Sequence, residues 1–247
     1  MKKINTFSIL VIGMMMLAIT ACDDYWWDCL KGNGVIVSQE REFSHFSGIV
    51  SEGDFDVIIV IDSVYKAFVV ADENLLPYIK TGIRNDNLVL NNSTRRCLRT
   101  SDNHPVQIFV HTPAVHFISL EGSGVIYCED LIYVDQVRVE LTGSGKIDLR
   151  DVDALELDAL ITGSGEIELW GVCEEGDLDI PGSGKIKAFH MEQDYCSANI
   201  SGSGDMYVFV YDLLDANISG SGNIFYKGNP HLNIRISGSG SVINSNK

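Results

Sequence analysis

The tripeptide Gly-Ser-Gly recurs seven times, with its first glycine at Gly122, Gly143, Gly163, Gly182, Gly202, Gly220 and Gly238. The steps are 21, 20, 19, 20, 18 and 18 residues, and the units take 14 of the 23 glycines. A period near twenty marks a chain that folds by stacking copies of one small unit. Two positions before each glycine stand Leu120, Leu141, Ile161, Ile180, Ile200, Ile218 and Ile236. Four before stand Ile118, Val139, Ala159, Leu178, Ala198, Ala216 and Ile234; four after stand Ile126, Ile147, Ile167, Ile186, Met206, Ile224 and Val242. A further column, nine after, holds Leu131, Val152, Val172, Met191 and Tyr211 in the first five units. Mostly polar residues alternate with these columns. Period-two alternation on both sides of the glycines describes a short strand, a corner and another short strand.

Columns that are apolar in every unit are satisfied together if the units stack in parallel register, about 4.8 Å apart. The chain is therefore expected to be all-β: a right-handed parallel β-solenoid (a single-stranded β-helix) of about seven GSG-cornered coils over residues 119–247. Its hand follows the rule for parallel crossovers. At each corner glycine is expected to supply φ > 0 without a Cβ clash. Other uses of glycine fit less well. A nucleotide loop needs one glycine motif leading into a helix. Calcium solenoids use Gly-Gly-x-Gly-x-Asp repeats, whereas the third position after the glycine here runs Val125, Lys146, Glu166, Lys185, Asp205, Asn223, Ser241. A flexible linker would carry no apolar columns.

Residues 35–118 lack the corner but read as strands, forming a β-rich N-terminal half that caps the first coil. Phe55 to Ile61 is expected to pair in a hairpin with Lys66 to Ala71. Ile79 to Arg84 and Leu88 to Asn91 flank the turn Asn85-Asp86-Asn87. Val106 to His111 is another strand, and Asn74 to Tyr78 a single helical turn.

The N-terminus reads as a lipoprotein signal peptide over residues 1–21. Lys2 and Lys3 precede an apolar run from Ile9 to Ala18, and small residues lead into Cys22. The end of this segment resembles the lipobox of bacterial lipoproteins, which implies lipidation of Cys22 and a lipidated tether over 22–34. Asp23-Asp24 resembles a signal for export to the outer face of the outer membrane, and Tyr25-Trp26-Trp27 is expected at the lipid headgroups or on the domain. Removing 1–21 takes two lysines and no acid from 18 basic and 34 acidic residues, leaving a charge of −18. That balance argues against nucleic acid and against electrostatic binding to anionic lipid. The membrane is then reached through the lipid anchor.

Five cysteines remain: Cys29, Cys97, Cys128, Cys173 and Cys196. They form no Cys-x-x-Cys, and the six histidines show no His-x-x-x-His, so no metal site and no cofactor are expected. Cys29 and Cys97, outside the repeats of an exported chain, are expected to form a disulfide. Cys128 aligns with the apolar residues Leu149, Leu169, Ala188 and Val208, and is expected to be a buried thiol.

The segments REFSHFSGIV (41–50), GDFDVIIV (53–60) and VVADENLLPYIKTGIRNDNLVL (69–90), with the run of GSG corners, resemble the head GIN domain, an auto-transporter adhesin domain. The resemblance covers about residues 35–245 and implies an all-β solenoid, a secreted or lipid-anchored envelope setting, and no catalytic residues. An auto-transporter requires a membrane barrel after the head; this sequence ends at Lys247 in its last coil.

The function expected is non-enzymatic: a surface binding or adhesion module for glycan or protein, on an outer-membrane lipoprotein exposed at the cell surface. A structural or signalling envelope protein without a small ligand is the alternative. A β-helix polysaccharide-degrading enzyme fits less well: no repeat exceeds 21 residues, so no long loop overhangs the coils, and after Arg99 only Arg138, Arg150 and Arg235 remain. If positions four and six after the glycine face inward, positions five and seven face outward. The rings expected on that face are Tyr127, Trp170, Phe189, Tyr207, Phe209 and Phe225, among Asp148, Arg150, Glu168 and Lys187. So many aromatics on one face suggest a binding surface. Lys146 is expected to be exposed and replaceable.

Overall fold

The computed structural model describes residues 29–246. The signal peptide, Cys22, Asp23-Asp24 and Tyr25-Trp26-Trp27 lie outside the described residues. Apart from a three-residue 3-10 turn at Leu76–Tyr78, the regular structure is β-strand.

The repeat region is a β-solenoid of about six turns. Its long strands Ile132–Gly143, Lys146–Gly163, Glu166–Ile180, Lys185–Ile200 and Asp205–Ile218 pair in parallel, each with the equivalent strand one coil away. The apolar columns lie in register. Ile126 sits beside Ile147, then Ile167, Ile186, Met206, Ile224 and Val242. On the other side of the corner Ile180, Ile200, Ile218 and Ile236 form a second row. Stacking one apolar residue on its counterpart buries both faces of the column, and Ile126, Ile147, Ile167, Ile186 and Ile224 are fully buried.

The corners are laced together by backbone hydrogen bonds. The amide of each corner serine (Ser144, Ser164, Ser183, Ser203, Ser221 and Ser239) donates to the carbonyl oxygen of the first corner glycine one coil below, at 2.8–3.1 Å. That closeness, more than φ, is what demands glycine. Gly122, Gly143 and Gly163 have φ of +141°, +128° and +150°, but the later four corners lie outside that range. A Cβ on Gly202 would stand 1.8 Å from the carbonyl oxygen of Gly182. The expectation of φ > 0 thus holds for three corners only, and the rest need glycine because two backbones touch.

The column nine after the glycine does not hold. Leu131, Val172 and Tyr211 are 46%, 45% and 46% exposed. The aligned row on that side is Ile132, Val152, Gly171 and Met191. Repeats of unequal length absorb their difference after the second strand, where the register shifts, so a count from the preceding corner drifts.

The N-terminal half adds layers to the same stack. Gly48–Glu52 and Phe55–Ile61 pair in parallel with Phe117–Gly122 and Val125–Cys128. Asn87–Asn92 and Val106–Thr112 pair in parallel beyond them. Asp54 finishes the corner in place of the missing repeat: its carboxylate accepts from the Ser123 hydroxyl at 2.6 Å. Phe55–Ile61 is not in a hairpin with the strand that follows. Both its edges are taken, by Val125–Cys128 and Val106–Thr112, and Lys66–Asp72 pairs antiparallel with Val106–Thr112 and with Ile36–Glu42. Ile79–Arg84 and Asn87–Asn92 do form a hairpin. Its turn residues Asn85 and Asp86 take φ of 52° and 63°, which Asn and Asp tolerate best after glycine.

Cys29 and Cys97 are joined by a disulfide beside the short parallel pairing of Leu30–Lys31 with Leu98–Arg99. This holds the end of the segment expected as tether on the domain. Cys128, Cys173 and Cys196 are buried free thiols. Burial pushes the Cys128 thiol up to about 12, so it stays protonated and unreactive.

Candidate functional site

The outward face behind the corners has a row five after each glycine, in register through Tyr127, Asp148, Glu168, Lys187, Tyr207 and Phe225. Alternation puts these side chains outside because residues four and six after the glycine fill the core. The face divides into an ionic part and an aromatic part.

Asp148 anchors the ionic part with a side chain only 8% exposed. Arg150 Nη2 donates to Asp148 Oδ2 at 2.7 Å, and Nε lies 2.6 Å from Oδ1 as an ion pair without hydrogen-bond geometry. Lys146 Nζ reaches Asp148 at 3.2 Å, Glu168 at 2.8 Å and Glu166 at 3.5 Å, and Lys187 meets Glu166 at 2.8 Å. The Arg150 guanidinium titrates above its usual range through its hydrogen bond to Asp148. The Lys146 ammonium is also raised: burial opposes it, but the bonds to Glu168 and Asp148 prevail. Glu168 is held below the usual range, first by the Lys146 hydrogen bond. Lys146 is thus no free surface lysine. It is half-buried and ties three carboxylates, because neighbouring coils place acids beside it where a single sequence line does not.

The aromatic part follows on the next coils. Tyr207 and Phe225 stack at 4.8 Å with 8° between their planes, the spacing of adjacent strands. Phe189 meets Tyr207 edge-on at 5.3 Å, and Lys227 Nζ lies 4.4 Å over the Phe189 ring. Trp170 is stacked on His190 at 3.9 Å and lies 4.9 Å from the Arg150 guanidinium. Phe209 packs on Tyr211 at 5.0 Å. All six rings singled out from the sequence are half-buried. Phe189, Tyr207 and Phe225 form one ladder, while Tyr127 lies beyond the ionic part, beside Asp148. Its hydroxyl is raised, first by burial and then by Glu129.

Sequence reasoning missed His190, Tyr211 and Lys227. Between Glu168 and Trp170 the partner strand carries one extra residue, so Trp170 faces His190 and Phe189 is displaced along the face. The lengthening of the repeat from 19 to 20 residues at that point was the only available signal.

The face before the corners is acidic. Asp158 and Asp177 are direct register partners. Burial first, and then Asp177, raises the carboxyl groups of Asp158 and Asp179. A raised carboxyl binds its proton more tightly in the folded chain, so stability falls as pH rises through the folded value. Asp177→Asn is therefore expected to stabilise the protein by a few tenths of a kcal/mol at neutral pH. The gain should shrink on acidification into the carboxylate range. Thermal melts across pH check this; a loss of stability at pH 7 would refute it.

A profile of the family described as "Putative auto-transporter adhesin, head GIN domain" matches residues 45–230. The chain belongs to this family. Three solved structures share the head GIN protein's fold. A "putative adhesin" from Bacteroides fragilis NCTC 9343 is 22% identical with a TM-score of 0.80, over 87% of this chain and 99% of that one. A "putative lipid binding protein" from Parabacteroides distasonis ATCC 8503 is 26% identical with a TM-score of 0.73, over 89% and 100%. A "putative adhesin" from Parabacteroides merdae ATCC 43184 is 23% identical with a TM-score of 0.67, over 89% and 100%. Among curated proteins none matches the chain. In this head GIN protein no helix among the described residues is long and apolar enough to cross a membrane.

Proposed function

We propose that this head GIN protein is a non-enzymatic adhesion module of the cell envelope, held at the outer membrane by lipid on Cys22, and that its aromatic face docks a protein partner. One observation carries the choice of protein over glycan. A sugar stacks on an open ring face, but the faces here are occupied: Trp170 by His190 and Arg150, Tyr207 by Phe225, and Phe189 by Lys227. What remains is a ridge of ring edges in which Tyr207 stands between Phe189 and Phe225, with Trp170 and Arg150 at its border with the ionic part. Trp, Tyr and Arg are the residue types that dominate protein–protein hot spots. Because the rings are fixed by one another, they lose little freedom on binding. The adhesin names borne by the family and by two of the related structures agree with a binding role.

The test compares the native protein with a Trp170→Ser, Tyr207→Ser, Phe225→Ser triple variant on arrays of cell-surface proteins and of glycans. Binding to a protein, weakened about 100-fold or more in the variant, is expected. Each lost ring contact should cost about 0.5–1.5 kcal/mol of stability, so a melt must show the variant still folded. Binding confined to glycans, or unchanged in the folded variant, would overturn the reading. For the anchor, mass spectrometry of native protein is expected to find Cys22 as the N-terminal residue, carrying acyl chains. An unmodified N-terminus elsewhere would refute it.

A further inference from the structure

The two ends of the stack are finished differently. At the N-terminal end Ile36–Glu42 and Ile79–Arg84 each pair with a single strand, Lys66–Asp72 and Asn87–Asn92 respectively. They carry Glu40, Arg41, Glu42, Lys80 and Arg84, charges of the kind that stop further strands from adding. At the other end His231–Ile236 pairs with Asp205–Ile218, and Ser241–Asn244 pairs with Asn223–Gly228. These last two strands form the two arms of an open edge that meet at the corner Gly238-Ser239-Gly240. Their outer backbone groups have no strand partner among the described residues.

This edge has less protection. Its arms contain no Pro, Lys, Asp or Glu, their one fixed charge, Arg235, is paired with Asp215 of the coil below, and residues 229–247 hold no acid at all in a chain of net charge −16. The inward columns surface here: Ile234 and Ile236 are 43% and 44% exposed, whereas Ala216 and Ile218, one coil earlier, are 0% and 2% exposed. A groove of about 840 Å³ crosses the coils on the face before the corners, from Leu160 and Asp179 through Asn199 and Asn217, and ends at Arg235 and Ile236 of this arm.

We propose that this edge is a self-association surface, on which a second copy of the chain docks end to end across a twofold axis along the bisector of the last corner. A single extended peptide would cover one arm. A second copy rotated about the bisector lays its own Ser241–Asn244 arm antiparallel on His231–Ile236, and the reverse on the other arm, so both arms find hydrogen-bond partners. The sequence is symmetric in the required way. Ile236 stands three residues before Ser239 and Val242 three after, so these two apolar inward residues meet on each arm, while the next inward pair is Ile234 with Asn244. Charge selects the same end. Two copies of an acidic chain repel over most of their surfaces, but not where acids are missing. The dimer also joins two binding faces, because Phe225 is in register with Ile243 of the edge arm; the end-to-end contact itself does not depend on what that face binds.

The experiment places a cysteine on the axis. Ser239→Cys in the full-length chain is expected to give a disulfide-linked dimer on a non-reducing gel, and Ser123→Cys, at the far end of the same serine column, is not. The native cysteines of the domain do not interfere, being disulfide-bonded or buried. Ile236→Glu sets a carboxylate in the junction, and should raise the dimer dissociation constant about tenfold or more with an unchanged melt. Equal cross-linking at both cysteines would overturn the proposal. So would a native chain that sediments as a monomer up to about 0.1 mM, the result expected if a strand of another protein occupies the edge, or a dimer indifferent to Ile236→Glu.

Discussion

Gly163→Val is expected to destabilise the solenoid by about 3–5 kcal/mol, read by chemical denaturation. Two costs add. Gly163 has φ +150°, where a β-branched residue is strained, and a Cβ there would stand 2.3 Å from the carbonyl oxygen of Gly143. That oxygen accepts the hydrogen bond from the Ser164 amide at 2.9 Å, so it cannot withdraw without breaking the lacing of the corner. In a quasi-one-dimensional stack each coil leans only on its neighbours, and damage at a central corner weakens both interfaces it shares. Ser164→Ala, one residue away and exposed, should change stability by less than about 0.5 kcal/mol. Equal losses for the two would mean that the corner is not a close backbone contact.

Arg150→Ala is expected to cost about 2 kcal/mol, the lower end of what breaking a buried pair costs, because Lys146 remains and Arg150 is itself about a third exposed. The loss comes from Asp148, whose nearly buried carboxylate would keep only its contact with Lys146. The double change Arg150→Ala with Asp148→Asn should recover part of the loss, since it removes the stranded charge. A double variant no more stable than the single one would place the cost in packing of Arg150 on Trp170 instead. The same cluster carries a pH signature. Glu168 is held below its usual value, so its share of the stability is present above the ordinary carboxylate range and is lost as pH falls through the lowered value.

The repeat made much of this molecule legible in advance. Columns two before and four after the corner glycine are apolar in every unit, and only parallel, in-register stacking satisfies them all. The strands adopt that register, from Ile126 through to Val242. Alternation alone also put Tyr207 and Phe225 on the outer face. Both readings rest on local periodicity, which a single line of sequence records directly.

What only the tertiary structure decided concerns neighbours distant in sequence. Phe55–Ile61 and Lys66–Asp72 have the pattern of a hairpin, yet Val106–Thr112 lies between them; no local signal says which strand fills an edge. The corner glycines have one sequence but two backbone conformations, united by the carbonyl oxygen of the coil below. The row Ile132, Val152, Gly171 and Met191 could not be counted from the corner because unequal repeats slip there. Lys146 reads as a surface lysine until adjoining coils bring Glu166 and Glu168 beside Asp148. The rings read as open until stacking one coil on the next closes their faces. Sequence determines which way a side chain points, since that follows from the alternation of its own strand. What the side chain meets is set by the coil stacked against it some twenty residues away, and a shift of one residue there changes every partner.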